Sequence, residues 1–105
     1  MKSITVQELK QLMDSNEDFQ LIDVRETYEN EICSLNGLLI PMNEIPGRVE
    51  DLDKEKMIIV HCRSGKRSAN VIDFLEQNYQ LTNLYNLEGG ILAWIEEIDS
   101  SMESY

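Results

Sequence analysis

The residues with the clearest chemical potential lie in one stretch, Val60-His61-Cys62-Arg63-Ser64-Gly65-Lys66-Arg67-Ser68. A cysteine becomes a nucleophile as its thiolate, and helix N-termini, nearby cations and inward-turned backbone N–H groups all favour that form. Each is expected around Cys62. An apolar run ends just before it, a helical pattern begins just after it, and Gly65 lets the connecting backbone curl without a Cβ penalty. Arg63, Lys66 and Arg67 crowd into residues 63–67 of a chain with 9 Lys and Arg against 20 Asp and Glu, a formal charge of −11. The same features would hold an anionic substrate. A buried cysteine acting as a small hydrophobe would not call for such a loop. Cys62 therefore reads as a nucleophile in an anion cradle formed by Arg63, Ser64, Gly65, Lys66, Arg67 and Ser68.

The other reactive side chains read differently. Cys33 has Glu29 and Glu31 nearby and no helix start behind it, which suits a structural thiol. His61, the one histidine, adjoins Cys62, but adjacent strand residues face opposite sides, so packing away from the thiol is preferred over a general-base role. Asp23 pairs with Arg25 more readily than it positions a water. No cluster has metal-ligand spacing, and neither a metal nor a cofactor is expected.

The elements that must carry this loop follow from hydrophobic periodicity. Met57–Val60 is an uninterrupted β-branched run, the pattern of a central parallel strand covered on both faces. Ahead of it, Thr5 and Glu8 form a capping-box pattern before a helix through Val6, Leu9, Leu12 and Met13, with Asn16 as its stop. Phe19–Val24 reads as a buried strand, 26–32 as one or two helical turns, Gly37–Pro41 as a strand, and Asn43–Val49 as a helical turn. Downstream, a helix over Arg67–Tyr79 precedes a strand over Leu81–Leu87. Gly89-Gly90 is read as a tight turn, followed by a helix marked by Ile91, Trp94, Ile95 and Ile98. Alternating strands and helices predict an α/β domain with a parallel sheet, and ligands of such sheets bind outside the carboxyl ends of the strands. Cys62 falls at one.

Length and charge bound the rest. At 105 residues the chain makes one domain, over 1–98, with a polar tail over 99–105 that is expected to fray. The acidic balance argues against nucleic acid and anionic lipid. No N-terminal apolar targeting segment or membrane span is visible, and two cysteines make no disulfide framework. A cytoplasmic monomer with free thiols is the expectation.

With these motifs in view the chain resembles the single-domain rhodaneses, or rhodanese-like sulfurtransferases. The resemblance runs from Ser3-Ile4-Thr5 to Trp94. It rests on Leu21-Ile22-Asp23-Val24-Arg25-Glu26, on Ile40-Pro41, on Cys62–Ser68 and on Leu87-Glu88-Gly89-Gly90-Ile91 with Trp94, in order and at family-like spacing. It implies a five-stranded parallel sheet flanked by helices on both faces. It also implies that Cys62 takes a sulfane sulfur from thiosulfate or a similar donor, becomes a persulfide, and hands the sulfur to cyanide or a thiol. Arg63, Lys66 and Arg67 would then steer the donor, the loop N–H groups would stabilise the persulfide, and Asp23 and Arg25 would lie beside the loop and hold its shape. The chain departs from the family at Cys33-Ser34-Leu35, where Gly-His-Ile is common, and the Gly37–Pro41 stretch is one residue shorter than usual.

Two other readings share these residues. A same-fold cysteine phosphatase or arsenate reductase needs five residues between Cys and Arg; here four precede Arg67, and Ser68 stands where that Arg would be. A regulatory binding module does not need the thiol, which argues against an inert domain. A protein-to-protein sulfur relay would use the same loop, with a small anionic donor replaced by a donor or acceptor protein.

Overall fold

The computed structural model describes all residues 1–105. Five parallel strands form one sheet in the order β1-β5-β4-β2-β3: β1 (Ser3–Ile4), β2 (Phe19–Asp23), β3 (Leu38–Leu39), β4 (Met57–His61) and β5 (Leu84–Leu87). Four helices join them, α1 (Val6–Asp14), α2 (Thr27–Ile32), α3 (Lys66–Tyr79) and α4 (Gly90–Glu97), with 3-10 turns over Met42–Gly47 and Val49–Asp51. The α/β class and the five-stranded parallel sheet are as expected.

The central strand behaves as its composition requires. Alternation sends Ile58, Val60 and Cys62 into one apolar layer and Ile59 into the other. The first layer lies under α3, which buries Ser68, Val71, Ile72 and Leu75, the i, i+3, i+4, i+7 stripe of a helix with one face on a sheet. Ile72 and Leu75 are fully buried, each contributing about 1.5–3 kcal/mol. The second layer joins Val6 and Leu9 of α1 to Ile91, Trp94 and Ile95 of α4. Thr5 makes the predicted capping box: its hydroxyl accepts from Glu8 N–H, and Glu8 Oε1 accepts from Thr5 N–H at 2.9 Å.

Three local readings change. The two-residue β1 escaped periodicity, because a strand this short shows no alternation. The strand expected over Leu81–Leu87 starts only at Leu84, since Gln80 adopts a left-handed backbone and Asn83 turns its amide to the carbonyls of Asp53 and Lys56. The tail does not fray. Asp99 N–H bonds Trp94 O, and Met102 and Tyr105 pack against the second apolar layer.

Candidate active site

The loop between β4 and α3 is held with its donors inward and its carbonyls outward. Gly65, at φ +106°, caps α3 in a left-handed conformation that costs a glycine nothing. Its N–H reaches Cys62 Sγ at 3.1 Å, and Ser68 N–H reaches the same sulfur at 3.5 Å. The Ser68 hydroxyl lies 3.4 Å from it. On the outer side, Cys62 O and Arg63 O accept from Ile91 N–H at 3.0 Å and Leu92 N–H at 3.1 Å, two donors that the first turn of α4 leaves free. Gly90 makes this approach possible. Its φ is +61°, and a Cβ there would collide with the Arg63 carbonyl and sit 2.7 Å from Cys62 O. The glycine read as part of a plain turn thus also seats the loop.

These contacts set the chemistry of the sulfur. Cys62 is 1% exposed, and burial pushes its thiol up. Hydrogen bonds from the main-chain N–H groups of Ser68, Gly65 and Ser64 oppose that and hold it below its ordinary value. The site therefore favours a thiolate through main-chain dipoles and one helix start.

The cations divide. Lys66 is exposed and has no salt-bridge or hydrogen-bond partner. Arg67, expected to hold a donor, instead makes a bidentate pair with Glu29 at 2.7 and 2.8 Å. Glu29 is 3% exposed, and Arg67, against the penalty of burial and with help from Glu26 N–H and Tyr105, pulls its carboxyl down to about 2. Arg63 is taken by the tail: its guanidinium bonds the Tyr105 carbonyl and lies 5.0 Å from the Tyr105 ring centroid. The Tyr105 hydroxyl donates to Glu29 Oε2 at 2.7 Å and accepts from Arg25 Nη1 at 3.0 Å. Burial, with Glu29 opposing Arg25, pushes this phenol up to about 12.

Asp23 and Arg25 form the expected ion pair at 2.8 Å, both buried. Burial alone would raise the Asp23 carboxyl; Arg25 outweighs it and holds it low. Arg25 also donates to Cys33 O at 2.7 Å and Glu29 O at 3.3 Å. No hydrogen bond or ion pair joins this pair to residues 62–68; Arg25 bonds Glu29, which in turn holds Arg67. Cys33 is buried beside Arg25. Within the departing segment Cys33-Ser34-Leu35, Cys33 thus helps hold Arg25 through its carbonyl and sulfur. His61 faces away from the thiol, its Nε2 4.0 Å from Asp23 Oδ2 and without a hydrogen-bond partner. Burial pushes its pKa down, so it is neutral.

Sequence reasoning missed Glu29, Asn86 and Tyr105 as site residues. Glu29 and Asn86 look like ordinary polar residues of a helix and a strand, and only the fold brings them to the loop. Both cysteines are free, and no helix is long and apolar enough to cross a membrane.

The chain is similar to known proteins in sequence and in fold. The pattern that defines the Rhodanese-like domain matches residues 5–97. The chain is 40% identical over 95 residues to the "Putative sulfurtransferase YtwF" of Bacillus subtilis, covering 90% of each chain. It is 33% identical over 96 residues to a protein named "Sulfurtransferase" from Allochromatium vinosum, covering 90% of this chain and 88% of that one. The crystal structure of a rhodanese-like domain protein from Staphylococcus aureus superposes with a TM-score of 0.83 at 36% identity, over 100% of this chain and 99% of that one.

Proposed function

The chain belongs to the rhodanese-like domain family, and on that premise we propose that it is a sulfurtransferase working through Cys62. The observation that carries this reading is the convergence of the Gly65 and Ser68 N–H groups on one sulfur. Such a nest favours an anion at the Cys62 sulfur before sulfur is loaded.

With thiosulfate as donor, the Cys62 thiolate attacks the outer sulfur. A new S–S bond forms, the donor's S–S bond breaks, and sulfite leaves with the electron pair. The terminal persulfide sulfur now carries the negative charge, which inward-facing loop N–H groups would stabilise. An acceptor nucleophile, cyanide or a thiolate, then attacks that terminal sulfur. The bond to Cys62 breaks, thiocyanate or an acceptor persulfide departs, and the Cys62 thiolate returns. No proton needs to move within the site, which accords with a neutral His61 turned away. Lys66 and Arg63, both exposed and without a side-chain carboxylate partner, are the cations left to draw in a small anionic donor, while Arg67 serves the loop's architecture. With both thiols free, a reducing compartment such as cytoplasm suits this cycle, and a protein persulfide could replace thiosulfate as donor.

A phosphatase reading fits less well. Ser68 occupies the position where that chemistry needs an arginine, and the Arg67 guanidinium is turned to Glu29.

The test is the intact mass of the reduced protein before and after thiosulfate. A gain of one sulfur atom is expected, removed by cyanide and absent in Cys62→Ser. No gain from thiosulfate or from a persulfide-bearing donor, with the protein folded, would overturn the assignment.

A further inference from the structure

We propose that Asn86 is a positioning residue for the Cys62 sulfur, acting through the loop rather than by touching substrate. The inference builds on the sulfurtransferase reading and names a residue that tunes the same site. Asn86 sits on β5, where its Cα pairs with Val60, two residues before Cys62. Strand alternation places it on the same face as Leu84, which packs in the layer under α3. From there its amide does two things. Nδ2 donates to Gly65 O at 3.0 Å, and Oδ1 accepts from the Ser68 hydroxyl at 2.6 Å.

Gly65 and Ser68 are also the residues whose main-chain N–H groups reach the sulfur, at 3.1 and 3.5 Å. One side chain on the sheet thus fixes both ends of the donor set. The two contacts also fix the amide's orientation, because reversing it would set Oδ1 against the Gly65 carbonyl. Gly65 lies in a left-handed corner at φ +106°, with the Leu87 carbonyl and Gly89 nitrogen beside it. Its carbonyl has one other donor, Ala69 N–H at 3.2 Å, so without Asn86 the corner is held by a single frayable helix-end bond. When the corner drifts, Gly65 N–H moves off the sulfur and the thiolate loses its shortest donor.

The experiment measures the pH dependence of Cys62 alkylation by iodoacetamide, located by peptide mass so that Cys33 does not interfere. Asn86→Leu keeps the volume and removes both hydrogen bonds; Asn86→Ala is the second variant. In either, the alkylation midpoint should move up, and the rate at neutral pH should fall roughly three- to tenfold, the effect of weakening the Gly65 N–H contact by about the worth of one ordinary hydrogen bond. A folded variant whose midpoint stays or falls overturns the proposal, even if its stability drops, because a purely structural role would not move the thiol's ionisation. Should neither variant fold, the wild-type protein still decides. The Asn86 side-chain NH2 resonances should titrate together with the Gly65 and Ser68 amides at the Cys62 midpoint, and flat Asn86 resonances overturn the idea. Alkylation needs no sulfur donor. A wild-type protein that takes no sulfur, with variants that shift the alkylation midpoint, would therefore sink the sulfurtransferase reading and leave this one standing.

Discussion

Replacing Glu29 by glutamine should destabilise the protein at neutral pH, and the penalty should fade in acid. The Glu29 carboxylate accepts from Arg67 Nη1 and Nη2 at 2.7 and 2.8 Å, from Glu26 N–H at 3.0 Å and from the Tyr105 hydroxyl at 2.7 Å. These lower its pKa from the ordinary 4.5 to about 2. The unfolded chain therefore binds the proton at higher pH than the folded one does. The stabilisation is present in full above the unfolded value and is lost as pH falls through the folded one. A fall of that size corresponds to about 3 kcal/mol at ~1.4 kcal/mol per pH unit. Arg67 is about one-third exposed, with 32% of its side chain reaching solvent, so screening brings the expected figure to about 2 kcal/mol. Urea unfolding, chosen because it adds no salt, should give Glu29→Gln a deficit of about that size at pH 7. By pH 3 the gap between the two proteins should have shrunk by more than half. A deficit equal at both pH values would refute the ionic account of Glu29, and one below about 0.5 kcal/mol at pH 7 would show the pair to be a surface bridge in effect.

Two further substitutions probe the frame. Asp23→Ala leaves the Arg25 guanidinium buried without its carboxylate, and breaking one half of a buried pair should cost about 3–5 kcal/mol in urea unfolding; a loss under about 1 kcal/mol would mean that the Glu29 and Cys33 carbonyls satisfy Arg25 alone. Gly90→Ala puts a Cβ against Arg63 O and Cys62 O at a positive φ, so it should slow Cys62 alkylation at neutral pH and lower the unfolding midpoint together; unchanged values of both would show that α4 does not seat the loop.

Periodicity carried most of the fold because most of the fold is apolar alternation. Met57–Val60 has to be central, and the stripe Val71, Ile72, Leu75 has to face a sheet, whatever else the chain does. Cys62 and its loop were legible for a related reason: a glycine and three cations between a strand and a helix are a local signal. What stayed hidden was of two kinds. β1 has two residues and owes its existence to pairing with β5, a contact with no local trace. The tail was misread from its polarity, since Asp99 to Tyr105 has few apolar residues. Yet Tyr105 finds two arginine side chains and a buried carboxylate that lie more than forty residues away in sequence. Polar residues that dock by hydrogen bonds to distant partners leave no pattern to read.

The same distinction recasts the three loop cations. Read in sequence they form one positive patch, and each would be assigned to the incoming anion. In the fold, Arg67 is neutralised by Glu29 while Arg63, bonded to the Tyr105 carbonyl, stays exposed, so in the proposed reaction long-range attraction falls to Lys66 and Arg63 in a chain of charge −11. Charge on the surface is screened beyond about 8–10 Å at ordinary salt. The N–H groups around Cys62 act at hydrogen-bond distance in a buried site and are screened far less. Under the proposed reaction, capture of a small anion and stabilisation of the sulfur anion are thus separate devices in this loop. The first is solvated side-chain charge, and the second is backbone, fixed by α4 from one side and by β5 from the other.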